Sequence, residues 1–463
     1  MNIKAANIEP IISPKSVAVI GASDNPTKVG HAIMQNYIDV DFQGKIYPIN
    51  ISAQEKIMGR KAYKSVAEVK EPIDLAVICV PAEFVPQVIL ECGKAKVKGV
   101  VVVSSGFAEV GNQKLQDKLE EAAKRYKLPV IGPNCLGIMD PRSKNDTLFL
   151  PTYKIERPKI GGVSFVSQSG SVGSSILDLI SAEGFGLARF ISYGNAAVVD
   201  EVDILNYLSH DKETRVVVFY IEGVKRGKEF AELAKKATML KPVVILKGGT
   251  TPSGATAAHS HTASLAGSTE AYKALFRQFG FITAETLEDL LYFAKIFDTQ
   301  PLTTGNRIGI ITNGGGHGVL ATDALYNSGL AIPELGKETQ KYLRKVMPPI
   351  VNVRLPLDIG GDAGADRFSA ALEALNNDSN VDAIMAITLF QTPGADEKVA
   401  ETIINQGIKR TKPLVVVSTG SSYTLSHTKL IESSGVPVYE SPDIAARALS
   451  ALIGYSKYRK REV

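Results

Sequence analysis

Cysteine is scarce in this sequence: Cys79, Cys92 and Cys135 are all there is. They form no C-x-x-C pair and leave an odd count, which excludes a disulfide framework and offers no zinc pattern. Long hydrophobic runs are missing too. The longest apolar stretches are strand-length, and Met1-Asn2-Ile3-Lys4 opens without an apolar signal core, so the expected compartment is a reducing cytoplasm. Nor does charge of one sign prevail. Basic residues number 52 and acidic ones 48, a net +4 over 463 residues, whereas a nucleic-acid face needs a clustered basic stripe. The densest basic run, Lys457, Arg459, Lys460 and Arg461, reads as a solvated helix end.

What is present is an ordinary globular composition, 44% hydrophobic and 22% charged, with length enough for about three domains. A short β-branched run, a Gly/Ser/Pro turn and a helical stretch recur along the chain. The runs 17–20, 75–80 and 99–103 are followed by Gly21-Ala22-Ser23, Pro81 and Ser104-Ser105-Gly106. Uninterrupted apolar strands are those buried on both faces of a parallel sheet, and alternation with helices implies βαβ units. The pattern restarts near 162, with strands at 216–221 and 243–246, and near 307, with strands at 383–387 and 414–417. The expectation is three doubly wound α/β domains, 1–140, 155–298 and 305–460, joined by linkers at 140–158 and 298–306.

In such sheets ligands sit beyond the carboxyl ends of the strands. In the first domain those ends carry small residues, which let a phosphate approach backbone N–H groups at a helix start. The first turn, Gly21 to Gly30, is not G-x-G-x-x-G, and the next strand ends Tyr47-Pro48-Ile49-Asn50 with no carboxylate for a ribose diol. Lys28 in the turn and Lys45 at the next strand favour a phosphorylated nucleotide over NAD. The plain alternative is a tight turn that binds nothing.

The second domain has Ser167-Gln168-Ser169-Gly170 directly after a strand, an anion site at a helix N-terminus. It also has a stretch of small and polar residues between Lys247 and Tyr272 that holds His259 and His261, expected to be a mobile loop. Imidazole is a competent phosphoryl nucleophile near neutral pH. Such a histidine needs an anion site, which Ser169 and Gly170 supply, and a carboxylate on its other nitrogen, for which Glu222 at the end of 216–221 is best placed. Loop chemistry alone leaves both His259 and His261 open. His31, His210, His317 and His427 read as a helix-start, a surface, a turn and a structural residue. The third domain opens on Thr312-Asn313-Gly314-Gly315-Gly316-His317-Gly318, another glycine-rich helix start, where Gly315 and Gly316 can face a phosphate.

Taken in order, Val19-Ile20-Gly21-Ala22-Ser23, Gly132-Pro133-Asn134-Cys135-Leu136-Gly137, Ser167-Gln168-Ser169-Gly170, Tyr193-Gly194-Asn195 and Ser260-His261-Thr262-Ala263-Ser264-Leu265-Ala266-Gly267 resemble the ADP-forming acetyl-CoA synthetases of the succinyl-CoA synthetase superfamily, over nearly the whole chain. The resemblance implies a Rossmann-like CoA-binding domain followed by two flavodoxin-like domains. It points to His261 as the phosphohistidine and Glu222 as its carboxylate. Ala263 stands where the family motif usually has glycine. Gln168, Ser169, Gly170, Gly315 and Gly316 would bind phosphate. CoA would lie against Gly21, Ser23, Lys28, Lys45, Val80, Pro81, Ser104, Ser105, Gly106, Pro133 and Asn134, and the acyl group near Gly194 and Asn195. The implied reaction is acyl-CoA + ADP + phosphate ⇌ acid + ATP + CoA, through an acyl phosphate. No Walker loop and no ATP-grasp-like segment is seen before Val463, so ADP or ATP and Mg²⁺ are expected on a separate ATP-grasp beta subunit, in an α2β2 heterotetramer. No metal ligands are expected in this chain. An NAD(P)-dependent oxidoreductase and a catalytically silent CoA-binding regulator are the competing classes.

Overall fold

The structure, a computed structural model, describes residues 6–52, 55–254, 256 and 269–462. Among them, three mostly parallel sheets carry the fold. The first is built from β1 (Ser16–Ile20), β2 (Lys45–Ile49), β5 (Leu75–Ile78), β6 (Gly99–Val102) and β7 (Val130–Ile131), ordered β2-β1-β5-β6-β7; a small antiparallel ribbon, β3 (Lys56–Ile57) and β4 (Arg60–Lys61), comes between β2 and β5 in the chain. The second holds β8 (Gly137–Asp140), β9 (Asn145–Asp146), β10 (Ile160–Ser167), β11 (Leu187–Ser192), β12 (Val216–Ile221), β13 (Val243–Lys247) and β14 (Ile282–Thr283), ordered β14-β13-β12-β10-β11-β8-β9. The third holds β15 (Ile308–Thr312), β16 (Leu357–Asp358), β17 (Ala383–Ile387), β18 (Leu414–Val417) and β19 (Val438–Tyr439), ordered β16-β15-β17-β18-β19.

The β-branched runs became these strands because both faces are covered: β1, β5, β6, β11, β15, β17 and β18 are buried throughout. Pro48 is tolerated in β2 because that strand is a sheet edge, where a missing N–H costs no ladder bond. With the antiparallel pair β8–β9 set aside, each sheet follows the same winding, 2-1-3-4-5 in its own strand succession. The chain is thus doubly wound α/β as expected. The winding leaves a crevice at the carboxyl ends of the first and third strands of each sheet, the topological switch point. Contacts gather the first two sheets into one compact unit and the third, with Glu183–Phe185, into another. No helix among the described residues is long and apolar enough to cross a membrane.

The segment 140–158, expected to link two domains, is built into the core instead. β8 runs antiparallel to β11, pairing Gly137 with Ser192, and β9 pairs with β8. Residues 137–140, assigned by sequence to the first domain, therefore bond into the second sheet. Asn145 is fully buried. Its Nδ2 donates to the carbonyls of Ile11 and Ile12 at 2.9 and 3.0 Å, and its Oδ1 accepts from the Tyr37 hydroxyl at 2.7 Å. Asn36 reaches the carbonyls of Leu148 and Leu150, and Arg157 pairs with Asp146 at 2.7 Å. The segment read as a linker; its polar side chains satisfy buried backbone.

The helix Glu201–His210 starts on a reciprocal cap. The Asp200 side chain accepts from the N–H of Val202 and Asp203, and the Asp203 side chain accepts from the N–H of Asp200. Asp200, Glu201 and Asp203 are all buried there, where the helix dipole favours negative charge. Arg226 ion-pairs with Asp200 and Asp203 at 2.5 and 2.7 Å. Glu201 receives the N–H of Lys225 on Oε1, at 2.8 Å, and its Oε2 has no partner among the described residues. Burial, then the charge of Asp200, pushes the Glu201 carboxyl up to about 7.

Two stability experiments follow. Asn145→Ala strands buried donors and acceptors and is expected to lower unfolding free energy by about 3 kcal/mol in urea denaturation. Glu201 keeps its proton to higher pH in the folded chain than in the unfolded one, so the folded state binds more protons between about pH 4 and 7. Its contribution to stability is present below the unfolded value and is lost as pH rises through 7. Glu201→Gln is expected to be more stable than the parent by roughly 3 kcal/mol at pH 8, a gap that closes towards pH 4.

Candidate functional site

At the first switch point the chain is drawn unusually tight. Gly21 has φ +102°, and a Cβ on Gly30 would meet the Gly21 carbonyl oxygen at 2.0 Å. The helix Val29–Asp39 is therefore seated directly on the first turn, with Lys28 exposed at its N-cap. Beside it opens a cleft of about 540 Å³. Gly21, Ser23, Lys28, Val80, Pro81, Ser104 and Ser105, all expected to contact CoA, line it. Lys45 does not reach it. That residue opens β2 at the amino end of the sheet, beside Ser16 of β1, and its ammonium is paired with Glu71. Lining residues not expected from the sequence include Asn50 and Phe149. Asn50 buttresses the turn by donating to the Ala22 carbonyl at 2.8 Å. Phe149 is an exposed aromatic from the segment read as a linker, so only its tertiary return places it. Cys79 also lines the cleft, and burial pushes its thiol up to about 12. A thiol held protonated is no nucleophile.

Gly106, Pro133 and Asn134 lie in a network that joins this edge to the second sheet. Asn134 donates its N–H to the Ser104 carbonyl at 2.9 Å and its Nδ2 to Asn195 Oδ1 at 3.2 Å. Asn195 in turn donates its N–H to the Pro133 carbonyl at 3.0 Å and its Nδ2 to Glu109 Oε2 at 2.5 Å. Glu109 accepts the N–H of Gly106 at 2.6 Å. Burial would raise the Glu109 carboxyl, but the donors from Asn195, Gly106 and Phe107 outweigh it and hold it below the usual range. Gly194 is required where it stands: at φ +55° a Cβ would meet the carbonyls of Pro133 and Asn134 at 2.3 Å. Both residues expected at the acyl pocket, Gly194 and Asn195, are thus packed on the strand-end turn of the first sheet.

At the second switch point, β10 and β12 end side by side. Ser169 and Gly170 start the helix Gly170–Glu183, and the Ser169 hydroxyl bonds Ser171 Oγ at 3.1 Å. Gln168 was expected at phosphate, yet its Oε1 accepts the N–H of Glu222 at 2.7 Å and of Gly223 at 3.1 Å. That leaves only its amide donor for a ligand and makes it a clamp on the Glu222 backbone. Glu222 is buried, its Oε1 accepts from the Tyr220 hydroxyl at 3.4 Å, and its Oε2 has no partner among the described residues. Such an orphaned carboxylate oxygen costs about 1–3 kcal/mol or more unless a further donor arrives. Its charge counteracts the burial that lowers the Lys247 ammonium. Tyr193, whose buried hydroxyl has no partner among the described residues, feels Glu201, Asp200 and Glu222 together.

His261 and His259 lie outside the described residues. The ends of their segment are fixed: the Thr269 hydroxyl donates to the Thr250 carbonyl at 2.8 Å. Just before, Gly248 packs so close to Tyr220 that a Cβ would meet its hydroxyl at 2.5 Å. The base of the segment thus stands beside the tyrosine that bonds Glu222. Among the remaining histidines, His31 bonds the Ser23 carbonyl and His210 the Asn206 carbonyl. His427 is sandwiched against Phe390 and Tyr423 at 4.7 and 4.5 Å, a packed core residue as read from its amphipathic flanks.

In the other unit, Gly315 and Gly316 begin the helix Gly315–Asn327 at the carboxyl end of β15, both exposed. The carboxylate of Asp358 lies where a Cβ on Gly315 would meet it at 2.8 Å, so this helix end has an acidic neighbour. Asn313, buried in the same turn, exchanges hydrogen bonds with Leu389 and Thr392. Among the described residues no group of three or more His, Cys, Asp or Glu could hold a metal ion.

Three family models match the chain: a CoA binding domain over residues 15–141, a succinyl-CoA ligase like flavodoxin domain over 160–297 and a Ligase-CoA domain over 308–458. The chain is 39% identical over 451 residues to the acetate–CoA ligase (ADP-forming) II subunit alpha of Pyrococcus furiosus, covering 96% of this chain and 97% of that one. It is 43% identical over 453 residues to the acetate–CoA ligase (ADP-forming) of Methanocaldococcus jannaschii, covering 97% of this chain but 63% of that longer protein. The solved structure of the dinucleotide forming acetyl-coenzyme A synthetase 1 of Ca. Korarchaeum cryptofilum, in complex with phosphate and ADP, matches with TM-score 0.92 at 34% identity over 98% of both chains. Matched from end to end in sequence and in fold, this chain belongs to the family of the ADP-forming acetate–CoA ligase alpha subunits.

Proposed function

We propose that this chain is the alpha subunit of an ADP-forming acid–CoA ligase that works through an acyl phosphate and a phosphohistidine, with His261 as the carrier. The observation that carries the reading is the buried Glu222 oxygen, without a partner among the described residues, next to the tyrosine on which the base of the segment holding His261 packs. An imidazole N–H is the donor that this oxygen lacks, and accepting it fixes the ring with the opposite nitrogen free to take phosphate. The three domains, 1–140, 155–298 and 305–460, divide the labour, with residues 137–140 serving the second sheet.

CoA occupies the cleft of the first sheet, against Gly21, Ser23, Lys28, Val80, Pro81, Ser104 and Ser105, with Gly106, Pro133 and Asn134 shaping the approach to the thioester. The acyl group lies by Gly194 and Asn195. Phosphate, held at the helix start by Ser169, Gly170 and the Gln168 amide, attacks the thioester carbonyl. The C–S bond breaks and CoA leaves with a proton, giving an acyl phosphate. The free nitrogen of His261 then attacks phosphorus and the carboxylate departs. Gly315 and Gly316 form a phosphate-binding helix end of their own, with the Asp358 carboxylate as its neighbour. The phosphoryl group passes to ADP, held with Mg²⁺ on an ATP-grasp beta subunit of an α2β2 heterotetramer in the cytoplasm. Positioning and charge neutralisation suffice for such transfers.

Purified alone, the chain is expected to bind CoA in calorimetry yet show no ADP release with acid, ATP and CoA; robust turnover would overturn the two-subunit reading. In the reconstituted complex, Mg²⁺-ATP is expected to leave an acid-labile phosphate on His261, mapped by mass spectrometry. His261→Ala should abolish both that mark and turnover, and Glu222→Gln should slow turnover about tenfold to hundredfold. Normal turnover with an inert residue at 261 refutes the mechanism.

A further inference from the structure

The loop after β12 does more than present Glu222. Three residues on, Lys225 donates its Nζ to the carbonyls of Asn195 and Ala196, both at 2.9 Å, and its main-chain N–H to Glu201. The residue is exposed overall, yet two of its three ammonium donors are spent on backbone rather than on water. The turn it holds is a demanding one. Gly194 and Ala196 have φ +55° and +52°, and for an L-residue such as alanine the left-handed region is unfavourable. Arg226, next in the chain, grips Asp200 and Asp203, so the loop is pinned on both of its cations.

From Asn195 the path continues without a gap. Its side chain donates to Glu109 and to Gln116 at 3.1 Å, and Glu109 holds the N–H of Gly106. Asn195 also takes the Asn134 amide and bonds the Pro133 carbonyl. Each end of this chain of contacts is a piece of the chemistry: the thioester side of the CoA cleft at one, the carboxylate of the phosphoryl carrier at the other.

We propose that Lys225 is a positioning residue, a strut that ties the turn 193–196, and through Asn195 the CoA side of the site, to the loop bearing Glu222. It rests on the reading of His261 and Glu222 given above. The strut makes the acyl-transfer and phosphoryl-transfer geometries one rigid arrangement, because neither turn can shift without breaking the ammonium's two bonds. Its loss should fall on the acid-and-CoA half of the reaction, which uses both ends, and spare the nucleotide half, which does not use the CoA side.

The test uses the complex with its partner subunit and splits the reaction in two: uptake of labelled phosphate from Mg²⁺-ATP, and its discharge by carboxylic acid plus CoA. In Lys225→Met, discharge is expected to slow about tenfold or more relative to uptake, with a raised KM for CoA, and Lys225→Arg, which keeps the donors, to restore the ratio to within about threefold. If Lys225→Met melts below the assay temperature, Lys225→Gln, which keeps a single donor, is read by the same ratio. Equal slowing of both halves, an unchanged ratio, or no rescue by arginine overturns the strut. A parent complex that takes up no phosphate refutes the carrier reading instead, so the two failures are told apart.

Discussion

A carboxylate with one oxygen buried and unanswered among the described residues is the constraint on which the rest of the site depends. Glu222 sits buried at the end of a central strand. Gln168 fixes its backbone, Tyr220 donates to one oxygen, and Lys247 stands close enough to feel its field. A fold selected for stability alone would satisfy or replace that second oxygen. Leaving it open is the kind of local cost that persists at functional positions.

The position of that cost follows from topology. Three sheets with one winding create three switch points, and each receives a glycine- or serine-rich turn at a helix start: Gly21 with Gly30, Ser169 with Gly170, Gly315 with Gly316. The winding brings the first and third strands together without a connection between them, so the chain leaves a notch that no crossover fills. Small residues there keep the notch open. The Gly21–Gly30 contact shows how tightly, since one added methyl would collide with backbone.

Much of this was legible because it is local. Apolar β-branched runs announced the strands, several to within a residue, as at Val216–Ile221, Ala383–Ile387 and Leu414–Val417. Turn chemistry placed Gly21, Ser104 and Ser105 at the cleft. What stayed hidden depends on long-range return of the chain. The stretch 140–158 looked like a linker because Asn145, Asp146 and Arg157 are polar, and nothing local says that they answer buried carbonyls and one another. Lys45 opens its strand, at the end away from the cleft, and nothing local shows its pairing with Glu71. Glu109, Glu201 and Lys225 carry no motif at all. Their roles come from partners that lie 24 to 86 positions away.

The hydrogen bond between Thr269 and Thr250 closes the base of the segment that holds His261. Thr269 lies eight positions after His261, and a fully stretched chain covers at most about 3.5 Å per residue. The backbone of residue 261 can therefore lie no farther than roughly 28 Å from that knot. If His261 is the carrier proposed above, the sites that give and take its phosphoryl group must both come within that reach plus the length of one side chain.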